Sequence, residues 1–224
     1  DLPALERFNV SNNKLEKLQA QALSLKLVDF DMSHNNVTLL PDLSLPALER
    51  FNVSNNKLES IQNQLLLPNL ADFDMSYNCV TLLPDLFLAV LERFNVSNNL
   101  VERIETLTLP KLVDFDMSHN NLTFLSDLDL PALERFNVSW NKIEYIQAQT
   151  LSTPKLVDFD QSHNSPKLPP KLDLSALGGS KKIKKQSKNP EKSKRLENPA
   201  IPIIPKIPKL PNIPQKKSKT TKQF

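Results

Sequence analysis

The stretch Leu2-Pro3-Ala4-Leu5-Glu6-Arg7-Phe8-Asn9-Val10-Ser11-Asn12-Asn13-Lys14-Leu15 recurs, with small changes, as eight copies across the first three-quarters of the chain. One Asn per copy marks the register: Asn13, Asn35, Asn56, Asn78, Asn99, Asn120, Asn141 and Asn164, spaced by 22, 21, 22, 21, 21, 21 and 23 residues. A fixed period of this size marks a solenoid, in which each copy buries its apolar face only against its neighbours. Such an architecture is mostly a surface for binding, which narrows the function without naming a partner.

Within each copy apolar residues return at fixed offsets. The first has Leu5, Phe8, Val10, Leu15 and Leu18, the third Leu48, Phe51, Val53, Leu58 and Ile61, and the sixth Leu112, Phe115, Met117, Leu122 and Leu125. Phe8-x-Val10 has period two, so it predicts a short strand with both side chains on one side. The marker Asn follows the strand. Its amide donates and accepts at once, so a stack of such side chains can serve turn backbone groups that neither strand pairing nor water reaches.

The pattern L-x-x-L-x-x-F-x-[VM]-S-x-N-x-[LVI] resembles the leucine-rich repeat, with Phe in place of one Leu, over roughly residues 2–174. The resemblance implies parallel strands on a concave face and a convex side of loops and turns, an α/β-type solenoid. The 21–22-residue period, continued by Val37, Leu40 and Leu43, is similar to the short-repeat subclass, and Pro41 and Pro84 also argue against long convex helices.

Odd copies read Glu-Arg-Phe-Asn-Val-Ser, as at Glu49–Ser54, and even copies Asp-Phe-Asp-Met-Ser, as at Asp29–Ser33, so the underlying unit is a pair. The eighth copy decays: Gln161 takes the apolar strand slot and Pro166 the next, which reads as a crude cap facing water. At the other end the first repeat starts at residue 2 without a cap, and the expectation is of a segment upstream. Two regions follow, a solenoid of eight repeats over 1–174 and a Lys- and Pro-rich tail over 175–224, expected to be disordered. From Gly178 onward there are 14 Lys+Arg and 2 Asp+Glu, a net charge of +12, which leaves the body at −9. That asymmetry concerns partners and not fold.

Three columns of strand and turn residues are candidates for partner binding. The first alternates in sign: Arg7, Asp29, Arg50, Asp72, Arg93, Asp114, Arg135, Asp158. As structure, alternation keeps like charges from stacking on strands about 4.8 Å apart, and each exposed pair contributes ~0–1 kcal/mol. As function, it recognises a charged protein surface. The second column, Asn9, Asp31, Asn52, Asp74, Asn95, Asp116, Asn137, Asp160, adds four carboxylates and no cation, so a cationic partner would be steered here. The third reads Asn12, His34, Asn55, Tyr77, Asn98, His119, Trp140, His163. Trp140 breaks the Asn pattern of the odd copies, and with Tyr77 and His119 it is the candidate anchor, since Trp and Tyr dominate interface energetics.

Several chemistries are excluded. Ser, His and Asp co-occur in even copies only as a consequence of repetition. The chain's two glycines make no phosphate cradle, and one Cys with scattered His gives no zinc spacing. Successive Asp rungs lie about two strand separations apart, too wide to share Ca²⁺, so no metal, cofactor or small-molecule substrate is expected. Cys79 reads as an inert thiol, and no apolar run reaches the ~20 residues of a membrane span. Lys26–Phe30 superficially resembles a phosphatase-docking motif, but Phe30 is a core position. Sequons fall at Asn9, Asn36, Asn52, Asn95, Asn121 and Asn137, their number inflated by duplication.

The tail admits three readings: a solubilising extension, an arm for polyanions or membrane surfaces, or a ligand for proline-binding modules through Pro211-Asn212-Ile213-Pro214-Gln215-Lys216. Its Pro202, Pro205, Pro208, Pro211 and Pro214 favour polyproline II. A further expectation is that Lys181, Lys182, Lys184 and Lys185 fold back onto Asp31, Asp74 and Asp116. The chain reads as a protein-binding module and not an enzyme. The resemblance implies secreted recognition of an innate-immune or adhesion kind, insect immune repeat proteins among the relatives, with an intracellular regulatory adaptor or polyanion binding as alternatives.

Overall fold

The computed structural model describes residues 4–19, 23–61, 65–104, 107–125, 128–146, 151–165 and 182–184. Each Arg/Asp-Phe-Asn/Asp triplet is a strand: β1 (Arg7–Asn9), β2 (Asp29–Asp31), β3 (Arg50–Asn52), β4 (Asp72–Asp74), β5 (Arg93–Asn95), β6 (Asp114–Asp116), β7 (Arg135–Asn137) and β8 (Asp158–Asp160). A ninth, β9 (Lys182–Lys184), follows β8, and all nine form one parallel sheet in chain order. No helix occurs among the described residues. The opposite side carries two-residue ladders, such as Leu107-Thr108 beside Leu128-Asp129 beside Leu151-Ser152, so the convex side is turns and short bridges as the repeat length implied.

Register follows the repeat without slippage: Phe8 lies opposite Phe30, Phe30 opposite Phe51, and so on to Phe159. Seven consecutive Phe–Phe contacts result, with ring centroids 5.3–5.7 Å apart. Val53, Met75, Val96 and Met117 fill the slot two residues on, and Leu48, Leu70, Leu91 and Leu112 the slot three before; all are fully buried. A one-residue slip would move every Phe to the solvent face, which pins the register.

The Asn ladder ties successive turns together by backbone contacts. Asn120 donates to Val96 O (3.0 Å) in the preceding copy and to Met117 O (3.1 Å) in its own, and accepts from Val101 N (2.9 Å). Asn35, Asn56, Asn78, Asn99, Asn141 and Asn164 repeat this arrangement. Asn13, at the first turn, donates only to Val10 O and Ser11 O and is exposed.

The two ends differ. Leu5, Phe8, Val10, Leu15 and Leu18 are only partly buried. In the eighth repeat Leu156, Phe159 and Gln161 are 1–2% exposed. Gln161 thus fills the buried strand slot, and the reading of the eighth repeat as the terminal cap is corrected: among the described residues β9 pairs on its far side. Only this strand of the 175–224 tail is described, and there the expectation of disorder gives way to sheet pairing; the rest, including the P-x-x-P segment, lies outside the described residues. The fold-back onto Asp31, Asp74 and Asp116 is corrected for Lys182 and Lys184, which stand in register with Asp158 and Asp160. Lys181 and Lys185 lie outside the described residues.

Candidate partner-binding face

The strand residues flanking each Phe point away from the core and form the concave face. Its first column is a ladder of discrete ion pairs. Arg50 Nε lies 3.1 Å from Asp29, Arg93 Nε 3.0 Å from Asp72 and Arg135 Nε 2.9 Å from Asp114, each Arg reaching back to the preceding copy. Each also approaches the Glu before it: Glu49, Glu92 or Glu134. The hydrogen bond from Arg135 to Asp114, then the charge of that carboxylate, raises the guanidinium's pKa above its ordinary value. All these groups are more than a third exposed, so the pairs orient side chains and add little stability.

The second column is held by local turns. Asp31, Asp74, Asp116 and Asp160 each accept the amide of the Ser two residues on, at 2.8–3.0 Å, and the second oxygens of Asp31 and Asp116 also accept from Asn9 and Asn137, at 3.4 Å. Asn9, Asn52, Asn95 and Asn137 make the same turn with Ser11, Ser54, Ser97 and Ser139. The short side chain thereby closes the end of each strand, which explains Asn and Asp there. Two shallow hollows result. One, of about 280 Å³, is lined by Asp29, Asp31, Arg50, Phe51, Asn52, Asp72 and Asp74. The other, of about 190 Å³, has the equivalent residues Asp114 to Asp160. Both are smaller than the ~300 Å³ at which small-molecule pockets begin, but each has room for the end of a long side chain.

The third column has a property the sequence reading missed. Asn12, His34, Asn55, Tyr77, Asn98, His119, Trp140 and His163 all have φ between 53° and 56°. This is the left-handed region, which Asn tolerates and bulky residues occupy at a cost of roughly 1–2 kcal/mol. The Asn of the odd copies was the available signal. His119 and Trp140 stack at 5.3 Å, and Trp140 and His163 at 3.9 Å, so His163 joins the candidate anchor. Tyr77 stands apart, with Asn98 between it and His119. Trp140 and Tyr77 are 46% and 45% exposed, enough for contact with a partner. Burial lowers the pKa of His119, opposed by Asp116 and reinforced by His163, which favours the neutral ring.

Trp140→Asn should therefore keep the fold. It relieves left-handed strain of about 1 kcal/mol and loses stacking of similar size, so stability should stay within about 1 kcal/mol of the parent in urea denaturation. A loss several times larger would show that Trp140 is a packing residue.

The remaining candidates are placed as follows. Asn36 and Asn121 are half-buried in the turn beyond the ladder Asn, away from the strands that bear Asn9, Asn52, Asn95 and Asn137. Burial raises the Cys79 thiol pKa, and Glu59 pushes the same way, so it is a poor nucleophile at neutral pH. Phe30 is fully buried, in keeping with rejection of the docking motif.

The parallel ladder, the Asn-tied turns and the 21–22-residue rise together define a protein-interaction scaffold. The chain is a leucine-rich-repeat protein of the short-repeat kind. It is similar to YopM from Yersinia pestis, a leucine-rich effector protein, at 31% identity and TM-score 0.61, covering 76% of this chain and 48% of that one. It is also similar to YopM from Yersinia enterocolitica, at 26% identity and TM-score 0.59, covering 81% and 42%. The functional domain of InlJ from Listeria monocytogenes shares the fold at 24% identity and TM-score 0.53, covering 82% and 45%. The chain thus spans less than half the length of these three structures. No family model and no curated protein sequence matches it.

Proposed function

We propose that this protein binds the basic surface of a partner protein with its concave face, the His119–Trp140–His163 stack serving as the apolar anchor at its rim. The observation that carries this is the imbalance of the face: two columns hold eight Asp against four Arg, and Arg50, Arg93 and Arg135 are already engaged by Asp29, Asp72 and Asp114. The carboxylates of Asp31, Asp74, Asp116 and Asp160 are fixed in position before a partner arrives, which reduces the ordering cost of binding. Arg7 and Asp158 extend the same column to the first and eighth strands. The finer reading is a secreted recognition module of innate-immune or adhesion type, with which the sequons at Asn36 and Asn121, off the partner-binding strands, are compatible.

Trp140 is the only Trp in the chain, so its fluorescence reports on the site alone. Titration with a small basic protein and with an acidic protein of matched size should give a response to the basic one only. That response should weaken at least tenfold at high salt, because screening removes most exposed charge attraction. Trp140→Asn should weaken binding by about 2 kcal/mol, roughly thirtyfold, when followed by calorimetry. Equal binding of basic and acidic proteins would overturn the electrostatic reading, and an unaffected Trp140→Asn variant the anchor.

A further inference from the structure

The outer edge of β8 is where the repeat stops and the sheet does not. Parallel pairing continues into β9, with Lys182 opposite Asp158, Ile183 opposite Phe159 and Lys184 opposite Asp160. In sign this is the next step of the ladder. The first column runs Asp114, Arg135, Asp158, and Lys182 supplies the cation that alternation calls for. The apolar column passes from Phe to Ile. The second column, where odd copies carry neutral Asn, receives Lys184 in its place.

Two independent observations agree. The eighth repeat is buried as an interior layer is, with Phe159 and Gln161 at 1% and 2% exposure, whereas Phe8 at the opposite end of the sheet is only partly buried. The sequence ahead of β9 also repeats. Leu172-Asp173-Leu174-Ser175-Ala176-Leu177 matches Leu128-Asp129-Leu130-Pro131-Ala132-Leu133 at all but one position, and Leu172 follows Leu151 by 21 residues. From Leu177 to Ile183 there are three more residues than from Leu133 to Phe136, and Gly178-Gly179 fall in that stretch.

We propose that Lys182–Lys184 is the strand of a ninth, degenerate repeat, selected by charge to occupy the acidic edge of β8. The edge is thus a strand-accepting site for a short parallel segment of pattern cation–apolar–cation, and the chain fills it from its own sequence. Main-chain pairing supplies the general affinity, as in strand addition to any sheet edge, and the flanking charges supply the register.

Amide hydrogen exchange on the full chain tests the strand without reference to any partner. In the Lys182→Glu/Lys184→Glu variant, exchange over residues 159–161 and 182–184 should accelerate at least tenfold, while residues 72–95 stay as slow as in the parent. The Lys182→Arg/Lys184→Arg variant should match the parent. In the unmodified protein, raising NaCl from about 0.05 M to about 1 M, where the Debye length is about 3 Å, should accelerate the same two stretches selectively. Unchanged exchange in the Glu variant, fast exchange in the Arg variant, or no salt response in the unmodified protein would each overturn the proposal.

Discussion

Asn99→Ala is expected to cost about 3–5 kcal/mol of folding stability, far more than its two lost polar atoms would contribute in water. Asn99 is 5% exposed. Its amide donates to Met75 O at 3.0 Å in the preceding copy and to Val96 O at 3.1 Å in its own, and its carbonyl accepts from Val80 N at 3.0 Å. Ala leaves the Val80 amide buried without its acceptor, at about 1–3 kcal/mol, and takes one donor from each of the Met75 and Val96 carbonyls, which keep Asn78 and Asn120, at about 0.5–1.5 kcal/mol each. Asn13→Ala provides the contrast. Asn13 bonds only within its own exposed turn, so its loss should cost less than about 1 kcal/mol. Urea denaturation of the two variants decides the matter. Equal costs would mean that the ladder satisfies no buried group and that the Asn spacing has another cause.

That ladder is also why so much of the fold was legible in the sequence. The marker Asn, the Phe at the centre of each three-residue strand and the 21–23-residue period are demands of local chemistry repeated eight times, so noise in one copy is corrected by the others. Parallel strands, register and a turn-built convex side all followed. What failed was the end. The eighth repeat, with Gln161 in its strand slot, read as the terminal cap, and Lys182–Lys184 as part of a disordered basic tail. Both readings took composition as the guide, and composition does not report a three-residue strand whose apolar content is one Ile. The match of Leu172–Leu177 to Leu128–Leu133 was the available signal, weakened by the residues inserted around Gly178-Gly179.

The candidate face was legible in its columns but not in its detail. Alternation at Arg50, Asp72 and Arg93 foretold opposite charges on neighbouring strands. It could not say that each Arg would choose the Asp behind it, because both neighbours are equivalent in sequence and only side-chain geometry separates them. Likewise Trp140 stood out as a departure from Asn, yet the reason for Asn, a left-handed backbone, is a dihedral fact. The stack with His163 depends on two rings meeting at 3.9 Å across a 23-residue step.

Phe94→Ala is expected to cost about 3–5 kcal/mol and to divide the unfolding transition, whereas Phe8→Ala should cost roughly half as much and leave one transition. Phe94 is 2% exposed and lies between Phe73 at 5.4 Å and Phe115 at 5.5 Å. Phe8 is partly buried and stacks on Phe30 alone among the described rings. In a solenoid each repeat touches only its neighbours, so stability is a sum of repeat and interface terms. A cavity at the centre weakens two interfaces at once and separates the halves, while one at the end trims a single repeat. The partner face should register the same difference, since Phe94 is flanked by Arg93, paired to Asp72, and Asn95, bonded to the Ser97 amide. Denaturation followed by Trp140 fluorescence sees the C-terminal half, and far-ultraviolet dichroism sees both. For Phe94→Ala the two probes should give midpoints that no longer coincide; for Phe8→Ala they should coincide. Coincident midpoints in both variants would show that the eight repeats unfold as one unit and that coupling along the Phe column is longer-ranged than nearest-neighbour packing.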